Sequence, residues 1–438
     1  MAFVNSLAGI IHRFATWRRS PRPTSGMAWP LHAEWLEVRC LLSYAITDLG
    51  TLGGTGSNGY ALSDFAQVVG PSLTQDNQGT HAFLWTNGMM TDLGTLDGAH
   101  SIARSINNAG SVVGDSGHAF LWVDGTMIDL GTLGGPSSAA FGINNKDQVV
   151  GESESSGDRF VHPFLWQDGA MIDLGTLGDQ SYANDINDEG QVVGISQIGN
   201  LSHATLWADG QITDLGTLGG SNSYVYRINN AGQAVGQSQI PGDSASHATI
   251  WDNGQAIDLG TLGGMNSIAM GINDRSQVVG VSTIVGTDWH PFLYSHGVMT
   301  DLNDLLPAGS GWVLDVASGI NNLGQITGSG TINGQTHAFL MTPNYVTPDF
   351  VQVVGLSPMT NEVARMESVR FSSERQADPA AAQRVPGVLF GQMLQPSAGT
   401  IRQPMPTGRH AKDIPFAAPT EVEDGAGLLT LTPLCAGL

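Results

Sequence analysis

The chain has 438 residues, of which 58 are Gly, and it carries a formal net charge of −22 at pH 7. Its two cysteines, Cys40 and Cys435, lie near opposite ends, so they cannot form a disulfide scaffold. No apolar run approaches the roughly 18 residues that a membrane span needs. An acidic chain is also a poor binder of phosphate backbones, which argues against nucleic acid as a partner.

The distribution of charge divides the chain into three segments. Residues 1–43 have five basic and two acidic side chains, residues 44–343 have five and 28, and residues 344–438 have seven and nine. We interpret residues 1–43 as a basic, export-type leader that is mostly unstructured. Residues 44–343 form the folded body, and residues 344–438 form a low-order tail that contains Pro and Ala.

The leader ends in Leu-Glu-Val-Arg-Cys-Leu-Leu-Ser at residues 36–43. This string resembles an L-E-x-R-x-L-L-S motif near the start of many large exported bacterial proteins. The leader differs from an ordinary secretory signal, because its apolar stretch is short and Arg18 and Arg19 follow that stretch. The resemblance implies an extracellular or cell-surface location, and an amphipathic start with no targeting role is the alternative.

Self-similarity dominates the body. Asp-Leu-Gly-Thr-Leu recurs about every 42 residues, which is within the range of propeller blades. Between these strings lie Ile-Asn-x-x-x-Gln/Ser-x-Val-Gly and His-Ala/Pro-Phe/Thr-Leu/Ile-Trp. The Asp-Leu strings begin at Asp48, Asp92, Asp129, Asp173, Asp214 and Asp258, with a degraded copy at Asp301.

Each copy contains four short apolar runs, as in the third copy at residues 138–143, 148–151, 162–166 and 171–174. Their length and their Val, Ile, Phe and Trp content predict strands. Asx-Gly follows the third run in five copies and predicts a tight hairpin with two left-handed residues. Asn-x-Gly predicts a second hairpin, but the first copy has Ala66 in place of Gly. We expect that copy to turn differently, because alanine would be strained there.

The two ends of the body are complementary. It begins with an Asp-Leu strand at residues 44–49 and ends with a His-Ala-Phe-Leu strand at residues 337–341. We therefore predict an all-β fold, a seven-bladed β-propeller of four-stranded antiparallel blades. The N-terminal strand would complete the last blade beside His337 and close the ring. A right-handed solenoid, the alternative, would leave both end strands unpaired.

The repeated strings resemble the HAF family of bacterial extracellular repeat proteins. The final copy, with Gly-Ser-Gly-Trp at residues 309–312 and His-Ala-Phe-Leu-Met-Thr-Pro at residues 337–343, resembles the usual last repeat of that family. The resemblance covers about 300 residues. It implies a secreted or surface location and no particular reaction.

The repeated polar residues are interpreted as structural. Equivalent histidines around a ring lie too far apart to bind one ion, so each imidazole should form a hydrogen bond within its own sheet or across a blade junction. The repeated aspartates should accept backbone N–H groups or hydroxyls, with a threonine three residues later closing the turn. No cofactor is expected. Ca²⁺ is the alternative, although no copy has a dense Asp-x-Asp-x-Asp-Gly pattern. The histidines are His81, His118, His162, His203, His247, His290 and His337.

Tryptophans also recur at one position of the repeat, with Tyr294 and Met341 as substitutes. We predict that they pack between blades, and a ladder that stacks sugars is the alternative. The tryptophans are Trp85, Trp122, Trp166, Trp207 and Trp251.

The copies differ most between their second and third strands. These loops should project from one rim of the ring, and variable loops on a rigid scaffold are common recognition sites. Neutral drift of surface loops is the alternative. The candidate binding residues are Asp76, Asp158, Asp243, Asp288 and Trp289.

These observations favour a non-catalytic extracellular or surface-associated scaffold that binds an unknown protein or glycan through its rim loops. The first alternative is a polysaccharide-active enzyme, a lyase or hydrolase, that uses paired carboxylates at a central channel. The second is a purely structural component of the envelope or matrix. The carboxylates considered for the enzyme are Asp185, Asp188, Glu189 and Asp274.

Overall fold

A computed structural model describes residues 43–344, except residues 76, 97, 99, 158 and 159. The expectations for the leader before Ser43 and for the tail after Asn344 lie outside the described residues. The described part is all-β, with one short 3₁₀ helix at Leu302–Leu305. It contains no helix long and apolar enough to cross a membrane.

The strands, in chain order, are β1 (Ser43–Asp48), β2 (Gly53–Ser57), β3 (Ala61–Leu62), β4 (Val68–Thr74), β5 (Thr80–Thr86), β6 (Met89–Asp92), β7 (Ile102–Ile106), β8 (Val112–Ser116), β9 (His118–Val123), β10 (Thr126–Asp129), β11 (Gly134–Ile143), β12 (Val149–Ser155), β13 (Val161–Gln167), β14 (Ala170–Asp173), β15 (Gln180–Ile186), β16 (Val192–Ile198), β17 (Leu201–Ala208), β18 (Gln211–Asp214), β19 (Ser223–Ile228), β20 (Ala234–Gln239), β21 (Ser246–Asp252), β22 (Gln255–Asp258), β23 (Gly263–Ile272), β24 (Val278–Ile284), β25 (Trp289–Ser295), β26 (Val298–Asp301), β27 (Val313–Ile320), β28 (Ile326–Ile332) and β29 (Gln335–Asn344).

The strands form repeated antiparallel units. Five separate four-stranded sheets comprise β7–β10, β11–β14, β15–β18, β19–β22 and β23–β26. The remaining strands form a nine-stranded sheet with two antiparallel groups, β1 with β27–β29 and β2–β6. A single parallel pairing between Gly56 and Thr336 joins these two groups.

The two ends of the described chain pair with each other. β1 lies antiparallel to β29, with Ile46 opposite Met341 and Asp48 opposite Phe339. The Leu49 N–H donates to the Ala338 carbonyl at 3.1 Å. The strand from the beginning of the body therefore lies beside its final strand, at the position that the sequence predicted.

The turn residues confirm one prediction and overturn another. In every copy with Asx-Gly, and in the His296-Gly297 copy, both turn residues have positive φ. Ala66 also has positive φ, at 60°, and its N–H donates to the Ser63 carbonyl. Gly110 makes the equivalent bond to Asn107, so the first copy turns like the others and the expected difference was wrong. The surrounding repeat geometry evidently outweighs the strain of a left-handed alanine.

The hydrophobic core lies between neighbouring sheets. In one such layer, Val113 of β8 and Leu121 of β9 pack against Val149 of β12 and Phe164 of β13. Two tryptophans also make contacts between sheets. The Trp207 indole N–H donates to Gly175 O at 3.0 Å, and the Trp251 indole N–H donates to Gly216 O at 3.3 Å. Their burial supports packing between sheets as their role.

The prediction for the histidines and the prediction that the repeated aspartates accept backbone N–H groups are both confirmed. Each repeated histidine contacts an aspartate in the same sheet, as in the 2.8 Å contact between His81 Nδ1 and Asp92 Oδ2. The other Asp92 oxygen accepts the Gly94 N–H at 2.8 Å. Side chains close two successive turns here, since Asp48 Oδ1 accepts the Gly50 N–H at 2.8 Å and Thr51 Oγ1 accepts the Gly53 N–H at 3.2 Å. The Thr51 hydroxyl also donates to Gly54 O. Asp48 pairs with His337, so one His–Asp contact joins β1, the first strand of the body, to β29, its last strand.

The glycine of each Val-Val-Gly string lies where strands approach closely. A Cβ built on Gly151 would be 1.9 Å from the Ala139 carbonyl oxygen. We expect Gly151→Ala to lower the free energy of unfolding by about 1–3 kcal/mol, because the backbone must shift to relieve the overlap. Urea denaturation measures this loss. Gly56→Ala is the matched control, since its Cβ would meet nothing nearer than 3.6 Å. Equal effects of both substitutions would contradict the explanation.

Candidate functional site

One residue from the turn after the first strand of each copy contributes to a circle of hydrogen bonds, which we name the amide ring. Each backbone N–H donates to the side-chain Oδ1 of the next member at 2.8–2.9 Å. After seven steps the circle returns to its first residue, since the Asn322 N–H donates to Asp64. The members in order are Asp64, Asn108, Asn145, Asp188, Asn230, Asp274 and Asn322.

Side chains of the amide ring also bind one another. The Asn108 amide donates to Asp64 Oδ2 at 3.0 Å, and the Asn145 amide donates to Asp188 Oδ2 at 2.8 Å. The Asn322 amide lies 3.0 Å from Asp274 Oδ2. Each of the three carboxylates is therefore held by a neutral amide, which is why acidic groups can share this small ring.

A second, buried layer of asparagines supports the ring. The Asn144 amide donates to the Asn187 carbonyl at 3.0 Å, and Asn187 donates onward to Asn229 O at 3.1 Å. The same pattern continues to Asn321, whose amide donates to Ser63 O. The Asn144 carbonyl Oδ1 also accepts the N–H groups of its own turn. The repeated Ile-Asn string thus links neighbouring copies.

The amide ring surrounds the mouth of a cavity of about 190 Å³. The first-strand ends of all seven copies line it, together with Tyr60 and Leu62 of the first copy. Within each sheet, these strand ends lie at the end opposite the variable loops, because successive strands are antiparallel. The cavity is therefore a different surface from the rim that the sequence predicted.

The cavity lining breaks the repeat at one position, which follows a β-bulge in the first strand of most copies. Five of the seven copies have a small residue there. The other two, the fourth and the fifth copy, have Asp185 and Arg227 at this position. Bulges reorient side chains and are common beside functional sites. The small residues are Ala61, Ser105, Gly142, Gly271 and Gly319.

Asp185 is a buried carboxylate in this lining. Burial raises its pKa, while the charge of Arg227 and the N–H groups of Ile228 and Ile186 act in the opposite direction. Its Oδ2 accepts the Ile228 N–H at 3.0 Å. The Arg227 guanidinium donates through Nη1 to the carbonyl of Tyr226 at 3.0 Å. Adjacent copies therefore place one acceptor and one cationic donor in the same cavity.

The other sequence candidates for catalysis lie at different places. Asp188 and Asp274 belong to the amide ring, whereas Glu189 is exposed on the turn beside it. Sequence reasoning missed Arg227 altogether. The sequence did contain a signal for it. The residue before the Ile-Asn string is small in most copies, and in the fifth copy it is Arg227.

A second group of charges lies away from the cavity lining. Burial raises the pKa of Glu152 to about 7, although the positive charge of Arg104 opposes the shift. Arg104 Nε donates to Asp115 Oδ1 at 2.8 Å, and its guanidinium lies 5.4 Å from the Phe141 ring centre. Among the described residues, the buried Glu152 Oε2 has no hydrogen-bond partner. The pKa of Tyr182 is also raised, by burial and then by the nearby Glu152 charge.

The candidate rim residues that the structure describes lie in or beside two separate connections. Asp76 and Asp158 lie outside the described residues. Asp243 accepts the N–H and hydroxyl of Ser221 at 2.7 and 2.6 Å, and these bonds lower its pKa. Asp288 is exposed in the β24–β25 connection, and Trp289 is half-buried at the start of β25. Asp243 therefore has a structural partner, and binding by the rim stays a prediction.

The described residues contain no group of three or more His, Cys, Asp or Glu side chains placed to hold a metal ion. Neither the seven repeated histidines nor the three carboxylates of the amide ring form such a group. These side chains instead take part in the hydrogen bonds described above, as in His81 with Asp92 and Asn108 with Asp64.

No protein-family model and no curated protein matches the chain. Among solved structures, the β-propeller domain of the Trilobed protease from Pyrococcus furiosus is 10% identical, with a TM-score of 0.42, over 70% of this chain and 100% of that chain. The WD40 β-propeller domain of Doa1 is 13% identical, with a TM-score of 0.40, over 67% and 96%. TolB from Acinetobacter baumannii is 10% identical, with a TM-score of 0.36, and the match spans 64% of this chain and 65% of TolB.

Proposed function

We propose that this protein is an extracellular or surface-associated binding module, built as a seven-bladed β-propeller that β1 closes, and that it binds its ligand without catalysis. The primary binding surface in this proposal is the cavity inside the amide ring. The variable rim loops that the sequence indicated are the second surface. A glycan or a protein is the partner class.

Two sets of contacts support the seven-bladed ring. The amide ring has seven members and returns to its start, as expected for seven equivalent units around an axis. The pairing of β1 with β29 supplies the last copy with its fourth strand. Closure of this kind protects sheet edges from pairing with other chains.

A single observation carries the binding function. The cavity is lined by equivalent residues of every copy, yet Asp185 and Arg227 replace small residues in two adjacent copies. Burying a charge is costly, and five other copies form the same strand with a small uncharged residue at this position, although Asp185 here accepts the Ile228 N–H. The repeat therefore departs from its pattern within the lining of the cavity.

The test is a binding screen of the full chain on a glycan array and against purified envelope proteins. The cavity variant combines Asp185→Ser with Arg227→Gly. Other copies have serine or glycine at this position. We expect the cavity variant to lose at least about tenfold in affinity, because hydrogen bonds to charged groups are removed. A rim variant, Asp288→Ala with Trp289→Ala, is measured beside it.

Asp168→Asn is the matched control for the screen. It removes one negative charge at a hairpin position where other copies have Asn87 or Asn253. The control should bind as the unaltered chain does. Loss of binding in the rim variant alone would move the site to the loops, and absence of any ligand would reject the proposal.

The cavity also favours one second candidate, a polysaccharide-active enzyme. Asp185 is a buried carboxyl with a raised pKa, as a general acid requires, and Asp188 is a second carboxylate of the same lining. Under this alternative, the chain would release reducing ends or unsaturated products from a polysaccharide panel, and Asp185→Asn would abolish the release. Binding without turnover would reject it.

A further inference from the structure

The two walls of the cavity differ in chemistry. Counting along the amide ring, Asp64 is three steps from Asp188 in one direction and three steps from Asn230 in the other. The first copy therefore faces the fourth and fifth copies across the ring. Tyr60, Ala61 and Leu62 of the first copy line one wall, and Asp185 and Arg227 lie on the opposite wall.

The size and charge of the cavity restrict its ligand. Its volume of about 190 Å³ lies below the roughly 300–1,000 Å³ of sites for drug-sized molecules, so it suits one small ring or the end of a chain. Four carboxylates and a single guanidinium line it. This excess of negative charge repels anionic ligands. The carboxylates of the lining are those of Asp64, Asp185, Asp188 and Asp274.

The polar groups present both donors and acceptors. The carboxylates accept hydrogen bonds, the guanidinium donates, and the amides of the ring asparagines do both. The hydroxyl groups of a ligand likewise donate and accept hydrogen bonds, so they suit such a lining. A sugar ring has a hydroxyl edge, which matches the polar groups of this lining, and an apolar C–H face that packs against aromatic side chains such as that of Tyr60, which also lines the cavity.

We infer that this cavity is a subsite for one neutral sugar residue, held at its hydroxyls by Arg227 and Asp185 across from Tyr60. The inference rests on the proposed function and names its ligand class. In this arrangement Arg227 donates to sugar oxygens and the Asp185 carboxyl accepts from a hydroxyl. Sugars that carry a carboxylate are excluded by the charge of the lining.

Calorimetric titration of the full chain with methyl glycosides of neutral hexoses and with the matching hexuronic acids tests this inference. We expect the neutral glycosides to bind and the hexuronic acids to bind at least about tenfold more weakly. Arg227→Gly and Asp185→Asn should each weaken binding of the neutral glycosides by about tenfold or more. Asp168→Asn, which lies away from the lining, should leave the affinity unchanged.

Urea midpoints show whether each variant is folded, and Arg227→Lys provides a second variant that keeps the charge but loses the planar donor group. We expect Arg227→Lys to weaken binding as well. Equal or tighter binding of hexuronic acids, or unchanged affinity in folded Arg227 and Asp185 variants, would overturn the inference. If a protein or a glycan binds through the rim loops alone, the binding function stands with the rim as its site, and this inference fails. If nothing binds, both fail.

Discussion

Replacing Tyr44 with alanine is expected to lower the free energy of unfolding by about 3–5 kcal/mol. Tyr44 lies in β1 and is 1% exposed. It packs in one cluster with Leu302, Trp312 and Met341, which come from the other end of the body. The substitution leaves a cavity between the first strand and the last sheet. Equilibrium unfolding in urea, followed by circular dichroism, measures the loss.

Ile128→Ala is the control for Tyr44→Ala. Ile128 lies in the outer strand β10 and is 44% exposed, so its truncation should cost less than about 1 kcal/mol. A similarly small loss for Tyr44→Ala would mean that β1 contributes little to the fold. The proposed closure of the ring would then lack energetic support.

Replacing Glu152 with glutamine is expected to stabilise the protein by about 3 kcal/mol at pH 8 and to change its stability little at pH 4. The pKa of Glu152 rises from 4.5 to about 7 because burial disfavours its charged form. Below about pH 4.5 the carboxyl is protonated in both the folded and the unfolded chain. Between that pH and about 7, only the unfolded chain ionises, so stability falls as the pH rises.

Glutamine keeps the shape of this side chain and never ionises, so it removes the cost above pH 7. Urea unfolding of both proteins at several pH values between 4 and 8 measures the difference. Glu189→Gln, which removes the same charge at an exposed position, is the control and should change stability little. A gain that is the same at pH 4 and pH 8 would show that the cost of burying the Glu152 charge is not its cause.

The repeat made local structure predictable. Asx-Gly at one position of the repeat predicted hairpins with two left-handed residues, and Asp124 with Gly125 and Asp168 with Gly169 have that geometry. Counting the types of strand predicted that the first strand would pair beside His337. Both predictions depend on short-range turn chemistry or on matching partners, which a sequence records directly.

The prediction for Ala66 failed because neighbouring strands changed the local preference. Ala66 adopts a left-handed turn that alanine disfavours when considered alone. Asp48 accepts the Gly50 N–H, as its position in the turn predicted, and it also contacts His337, 289 residues away along the chain. The left-handed alanine and the long-range contact do not follow from local spacing, because both depend on contacts that form only when the sheets assemble.

The sequence by itself determined the all-β class, the four strands of each copy and the pairing of the chain ends, because periodic apolar runs and turn residues act locally. Only the tertiary structure decided that one residue of each copy meets its neighbours in the amide ring. It also brought Asp185 and Arg227 into one cavity lining and left a carboxylate oxygen of Glu152 buried. These features depend on distances between residues that are far apart in the chain. The environment that sets the charge and accessibility of a side chain exists only after the sheets have packed together.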